Sequence, residues 1–342
     1  MQKVATRRIQ LTGGSTFIVS LPKSWIKELN ISSGDEVDIY QDNELKLIIV
    51  PRKAINEEEI NKAVISCTST LDIAIREFIA HYMAGYTTVI LDCARFPPDV
   101  KAILKENIRK RLLGTEIIEE SSNSIIVQIL VNEKMLSLNK ALSREFTITF
   151  NMLKDVIDNF LNFDENIVKE VIDRDDEVDR FYFYIARQLT LGITKPEIFE
   201  EDGYNLAQIV DIYSVGKYIE RIADHSSRIA ENLIKIEKLT ENETDNLLPL
   251  FKRTADIFQK SFKSFINRDK KLAHEVAEEE TKLLGDYMIK TQEILPKIID
   301  STKLVTLSMI IDSFRRITRY SFDIAETAID LMAKVGSEKG IT

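Results

Sequence analysis

Tyr218-Ile219-Glu220-Arg221-Ile222-Ala223-Asp224-His225-Ser226-Ser227-Arg228-Ile229-Ala230-Glu231 can be laid, residue on residue, over Ser313-Phe314-Arg315-Arg316-Ile317-Thr318-Arg319-Tyr320-Ser321-Phe322-Asp323-Ile324-Ala325-Glu326. In both stretches apolar residues return at three- and four-residue intervals, the spacing of a helix that buries one stripe. Two copies imply one supersecondary unit used twice. Outward from them, the chain keeps a helical period from about Met135 to Val335, with breaks near Phe163-Asp164, Gly192 to Pro196, Leu239-Thr240, Asn267 to Asp269 and Pro296. The breaks predict six long helices, and the repeat groups them as two tandem three-helix bundles, residues 134–237 and 238–336.

The first bundle carries the most informative polar residues. On its middle helix Val168, Ile172, Asp175, Asp179, Tyr182, Ala186 and Leu189 follow the spacing of a buried seam, yet two of them are aspartates. On its third helix Glu220 and Asp224 are also four apart, beside Ile212, Gly216, Ile219, Ala223 and Ala230. Carboxylates at a core are costly unless charge is supplied. Three sources are open: cations held by oxygen ligands from facing helices, with His225 as an extra ligand; Arg221 or Arg228 paired with Asp175 and Asp179; or solvation among Asp173, Arg174, Asp176, Glu177 and Arg180.

Glu220-Arg221-Ile222-Ala223-Asp224 resembles the E-x-x-x-D signature of the PhoU family, phosphate-uptake regulators built from two three-helix bundles, and Asp175 with Asp179 fits the D-x-x-x-D form. The resemblance implies that Asp175, Asp179, Glu220 and Asp224 hold iron, zinc or magnesium ions. The second bundle departs from the pattern, with Arg315 and Arg319 where the first has Glu220 and Asp224, and Glu280 and Leu284 where it has Asp175 and Asp179. No metal cluster is expected there. Arg315 and Arg319 are expected to pair with Glu280, Glu279 or Asp323; reading phosphate as an arginine pair is the alternative.

At the other end, Arg7-Arg8-Ile9-Gln10-Leu11-Thr12-Gly13-Gly14-Ser15-Thr16-Phe17-Ile18-Val19-Ser20-Leu21-Pro22-Lys23 places strand-forming residues on both sides of a Gly-Gly turn. A short helix follows over Pro22 to Asn30, then a strand pair, Glu36 to Tyr40 and Lys46 to Val50, joined through Gln41-Asp42-Asn43. So few strands cannot bury a core in one chain. This order, with Leu21-Pro22-Lys23 and Gly34-Asp35-Glu36-Val37, resembles the SpoVT/AbrB/MazE DNA-binding domain, in which two chains interleave hairpins into one barrel. The resemblance implies a homodimer that binds DNA. Although the net charge is −9, residues 1–53 hold eight basic side chains against six acidic ones, and five of the basic ones precede the first acid, Glu28. Arg7, Arg8, Lys23 and Lys27 are the candidate DNA-phosphate contacts.

Between the two lies a segment, residues 54–133, expected to be an α/β spacer. Asn56-Glu57-Glu58-Glu59 reads as a helix cap, predicting a long helix to about Met83 with Ile60, Val64, Cys67, Leu71, Ala74 and Phe78 as its stripe. A strand at Thr87 to Leu91, a helix from Pro97 through Leu113, and a hairpin of Glu116 to Ile118 with Ser124 to Val131 complete it. Lys105, Arg109, Lys110 and Arg111 read as a solvated face, and Cys67 and Cys93 as buried free thiols. His81 and His274 read as ordinary surface or helix-end residues.

Phosphate-binding loops, nucleophile elbows and metal motifs of the C-x-x-C or H-E-x-x-H type are missing from the sequence, so no enzyme is expected. With no long apolar run and no secretory signal, a cytoplasmic protein is expected. The expectation is therefore a multidomain, mainly α chain: swapped-hairpin head, α/β module, and two PhoU-like bundles. Its expected function is DNA-binding regulation of phosphate uptake. The alternative is an adaptor that docks on a phosphate ABC transporter ATPase or sensor kinase and uses the head only to dimerise. A MazE-like antitoxin is a weaker third reading, because the helical region is large.

Overall fold

The computed structural model describes residues 4–41, 47–52, 61–66, 70–93, 97–131, 136–193, 195, 197–200, 202–236 and 238–335. The chain divides into two compact units, residues 1–62 and 63–342.

In the first unit, β1 (Gln10–Thr12) and β2 (Thr16–Ile18) pair antiparallel with Gln10 opposite Ile18. Gly13 and Gly14 turn the chain with φ of 64° and 84°, a region that a side chain would strain. α1 (Lys23–Glu28) starts after the extended Pro22, which lacks the N–H that a first turn leaves unused. β3 (Val37–Gln41) then pairs with β4 (Leu47–Pro51), Val37 opposite Pro51. Beyond Gln41 the expected turn lies outside the described residues. The four strands form two separate two-stranded sheets, and among the described residues of this unit none is buried. Ile9, Leu11, Phe17, Ile18, Val19, Leu21 and Ile39 are all exposed, Phe17 by 72%.

In the second unit, β5 (Lys62–Ser66), β6 (Thr88–Asp92), β7 (Thr115–Glu120) and β8 (Ser124–Ile129) form a sheet in the order β5-β6-β8-β7, with α2 (Leu71–Met83) and α3 (Pro98–Arg111) between strands. β8 is antiparallel to both neighbours, with Ile90 opposite Ile126 and Thr115 opposite Ile129. The expectation of one long helix to Met83 is corrected, since residues 62–66 are a strand and the helix begins at Leu71. Burial there alternates: Ala63 and Ile65 are inside while Val64 is exposed. A period of two in five residues also satisfies part of a helical stripe, and sheet pairing decides between them. The capping stretch at Asn56 and the stripe residues Ile60 and Cys67 lie outside the described residues. Cys93, just past β6, is disulfide-bonded, which corrects the expectation of a free thiol there.

The six long helices follow: α4 (Leu138–Asn159), α5 (Glu165–Gly192), then after a short α6 (Glu197–Glu200), α7 (Ile209–Ile236), α8 (Glu241–Ile266), α9 (Lys270–Ile294) and α10 (Ser301–Val335). Their starts are capped as the breaks suggest: Asp164 accepts from Asn166 N–H, Asp269 from Leu272 N–H, and Thr240 forms a capping box with Glu243. One apolar core runs through both bundles, with Phe251 stacked on Phe314 at 3.8 Å and Phe146 on Phe262 at 4.1 Å. No helix among the described residues is long and apolar enough to cross a membrane.

A Cβ added at Gly192 would lie 2.1 Å from the ring of Phe199, which is 2% exposed and has no room to yield. Gly192→Ala is expected to cost about 1–3 kcal/mol, read as a lower unfolding midpoint in urea.

The α/β module is part of the bundle's packing. Tyr182 and Phe183 of α5 belong to the module's core, together with Phe78, Tyr82, Leu104 and Ile108. Arg187 of α5, 2% exposed, donates to the carbonyls of Tyr82 and Tyr86 at 2.8 Å each, at the C-terminal end of α2.

Candidate functional site

The 4-3 spacing of α5 and α7 brings the four candidate acids to one face of the first bundle. Asp179 is largely buried, and its carboxylate accepts from Arg111, the last residue of α3, at 3.1 Å from Nε and closer still from Nη2. Lys110 reaches Asp176 at 2.7 Å. Glu220 accepts from Lys217 at 2.7 Å, and Asp224 from Arg221 at 3.0 Å. Asp175 has neither a hydrogen bond nor an ion pair among the described residues. Burial, then the charges of Asp224 and Asp179, raise its carboxyl to about 7. Burial also raises Asp179 and Glu220, against the pull of Arg111 and Lys217 respectively.

Glu145 was not legible as a site residue. It lies on α4 with no exposure, and neither carboxyl oxygen has a hydrogen-bond partner among the described residues. Burial, then the charges of Glu220 and Asp179, raise its carboxyl well above the ordinary glutamate value. It packs near Gly216 of α7, where a Cβ would sit in ordinary contact, 3.6 Å from its Oε2. One available signal was that Glu145 interrupts the apolar stripe of Leu138, Ala141, Leu142, Ile148 and Met152.

Iron, zinc or magnesium implies several of these oxygens around a common point. Among the described residues no group of three or more His, Cys, Asp or Glu is so disposed. Asp179, Glu220 and Asp224 are each turned to a cationic side chain instead. The four acids do not fit a metal centre in this arrangement. His225, which follows Asp224, joins no such group among the described residues. It is 6% exposed, its Nδ1 is unpartnered among the described residues, and its ring lies 5.9 Å from that of Tyr320. Burial, then the charge of Arg228, lowers it to about 4.

The lysine and arginine cluster of α3, expected to be a solvated face, is corrected at Lys110 and Arg111, which dock on α5. Arg221 pairs within its own helix rather than across to Asp175 or Asp179. In the second bundle Glu279 is held by Arg253 of α8 at 2.7 Å, and Asp286 by the same guanidinium at 2.5 Å. Arg315 makes no ion pair among the described residues, and its Nε is buried without a partner. Among the described residues Arg319 meets the expected acids electrostatically, opposing the burial that raises Asp323. Arg253 lies outside the repeated stretch, so aligning the repeat could not find it.

In the first unit Arg7, Arg8, Lys23 and Lys27 are all exposed, and none has an ion-pair partner among the described residues. Arg7 donates only to the neighbouring carbonyl of Thr6, at 2.9 Å. By contrast Arg52 is held by Glu36 at 3.0 Å and Asp38 at 2.8 Å.

Compared with known proteins, residues 142–233 and 247–328 each match the PhoU domain, together about half of the chain, and residues 10–56 match the antidote-toxin recognition domain MazE of bacterial antitoxins. The first PhoU match contains Asp175, Asp179, Glu220 and Asp224, and the second contains Arg315 and Arg319. Among similar curated proteins is the phosphate-specific transport system accessory protein PhoU homolog of Deinococcus radiodurans, 29% identical over 101 residues, 30% of this chain and 43% of that one. The homolog of Clostridium acetobutylicum is 32% identical over 84 residues, 25% and 36% of the two chains. These matches span less than half of either relative. One from Xylella fastidiosa is 22% identical over 191 residues, covering 54% of this chain and 78% of its own. The phosphate transport system regulatory protein PhoU of Streptococcus pneumoniae superposes with a TM-score of 0.49 at 16% identity, over 58% of this chain and 94% of that structure.

Proposed function

This chain belongs to the PhoU-domain family, and on that premise we propose that it is a DNA-binding regulator of phosphate transport. The observation that carries the reading is the first unit: four exposed cations without ion-pair partners among the described residues, beside apolar side chains that a single chain leaves uncovered. A surface with Leu11 and Phe17 exposed on short strands, and Ile9 exposed just before them, is unstable alone. A second copy covers it, so the unit works as a homodimer. Dimerisation doubles Arg7, Arg8, Lys23 and Lys27, giving a positive surface whose contacts with DNA phosphates weaken steeply with salt. The PhoU-domain bundles report phosphate status to that head by favouring one of its states, through a partner such as a phosphate ABC transporter ATPase. The chain regulates rather than catalyses.

The second reading is favoured by the relatives' names, since they are called accessory proteins of a phosphate-specific transport system. Under it the chain is an adaptor and the head only dimerises. Arg7→Ala/Arg8→Ala separates the two. Under the regulator reading, the double variant loses promoter binding by about tenfold or more while sedimenting as a dimer like the wild type. Unchanged DNA affinity in an intact dimer supports the adaptor.

A further inference from the structure

The cation on the acidic face comes from an unexpected place. In the second bundle the guanidinium between two acids belongs to that bundle: Arg253 of α8 bridges Glu279 and Asp286 of α9. In the first bundle the equivalent service is done from outside. Arg111 ends α3 of the α/β module, bonds Asp179, and lies 3.7 Å from Asp176 while its guanidinium sits 5.6 Å from the Phe183 ring centre. Lys110, the residue before it, holds Asp176. Phe183 restricts where the guanidinium can go, and a planar fork held over an aromatic ring and bonded to carboxylate is not replaced by water at equal energy.

We propose that Arg111 is the resident counter-cation of this face and occupies the place that a metal ion would take. Asp179 then has a partner by default, supplied by the module that packs on α5, while Glu220 and Asp224 keep Lys217 and Arg221 of their own helix. Asp175, with no partner of its own, is the acid through which a hard divalent cation competes with Arg111. Binding such an ion and docking the end of α3 exclude each other.

The test is equilibrium binding of Mn²⁺, followed by its electron-spin resonance, to the full-length chain at neutral pH. The wild type should show no saturable Mn²⁺ site that depends on Asp175. Arg111→Met should gain one, at least about tenfold tighter than any wild-type binding, and Arg111→Met/Asp175→Asn should lose it again. Arg111→Lys, which restores a positive charge, should behave as the wild type. The proposal is overturned if the wild type binds Mn²⁺ saturably and Asp175→Asn abolishes that binding. It is equally overturned if folded Arg111→Met, verified by its circular dichroism, gains no site. Should Arg111→Met not fold, the comparison of wild type with Asp175→Asn decides alone.

Discussion

Arg187→Met is expected to destabilise the chain by about 3 kcal/mol, and to do so at one junction. The guanidinium is almost fully buried, lies 5.2 Å from the centre of the Tyr82 ring, and donates to the carbonyls of Tyr82 and Tyr86. Those carbonyls close the C-terminal end of α2, where a positive charge also meets the negative end of the helix dipole. Methionine fills part of the volume but donates nothing. Tyr82 keeps the Gly85 N–H as a donor, so the loss falls mainly on Tyr86 and on packing. Urea unfolding gives the size, and amide exchange gives the place: protection should fall first in residues 71–92 and last in α8 to α10. Lysine should recover part of the loss. If Arg187→Met left the urea midpoint unchanged, the α/β module would not be anchored through this residue.

Glu145→Met should have the opposite sign, raising stability at pH 7 by about 1–3 kcal/mol. The groups facing Glu145 are Asp179 and Tyr182 of α5 and Lys217 and Glu220 of α7. Its carboxyl is raised well above its unfolded value, mainly by burial. The folded state therefore binds a proton that the unfolded state releases above about pH 4.5. Folding is penalised for this group as pH rises through that range, and the penalty is absent below it. The gain from Glu145→Met should accordingly shrink as pH falls toward 4. Thermal melts of both proteins at pH 4 and pH 7 check the sign. A variant less stable than wild type at pH 7 would mean that the carboxyl has a partner that stabilises it.

The helical part of the chain was readable because local chemistry and global packing agree there. The caps at Asp164, Thr240 and Asp269 stand where the period breaks, and the stripes between them became the core. β5 was misread because five residues carry too little period to separate strand from helix, and its sheet neighbour lies beyond the next helix. At the acidic face the positions of Asp175, Asp179, Glu220 and Asp224 followed from their four-residue spacing. The identity of their partners did not. Arg111 stands 68 residues from Asp179, and the packing of α5 against the module, with Tyr182 and Phe183 in its core and Arg187 on α2, brings them together. Arg253 and Glu279 illustrate the same limit in the second bundle, where a pairing inferred by position in the repeat was taken by a residue outside it.

The central claim is that the first unit binds DNA through cations that have no ion-pair partner among the described residues. It is tested most directly by the affinity of the full-length chain for DNA upstream of its own gene and of phosphate-transport genes, measured across a salt series. With four cations per chain in a dimer, log Kobs should fall against log salt with a slope on the order of −4 to −7, and Arg7→Ala/Arg8→Ala should flatten it. Affinity should also exceed that for random DNA and change when phosphate is added. Binding no stronger than to random DNA under every condition, with the dimer intact, would contradict the claim and leave the head as a dimerisation device.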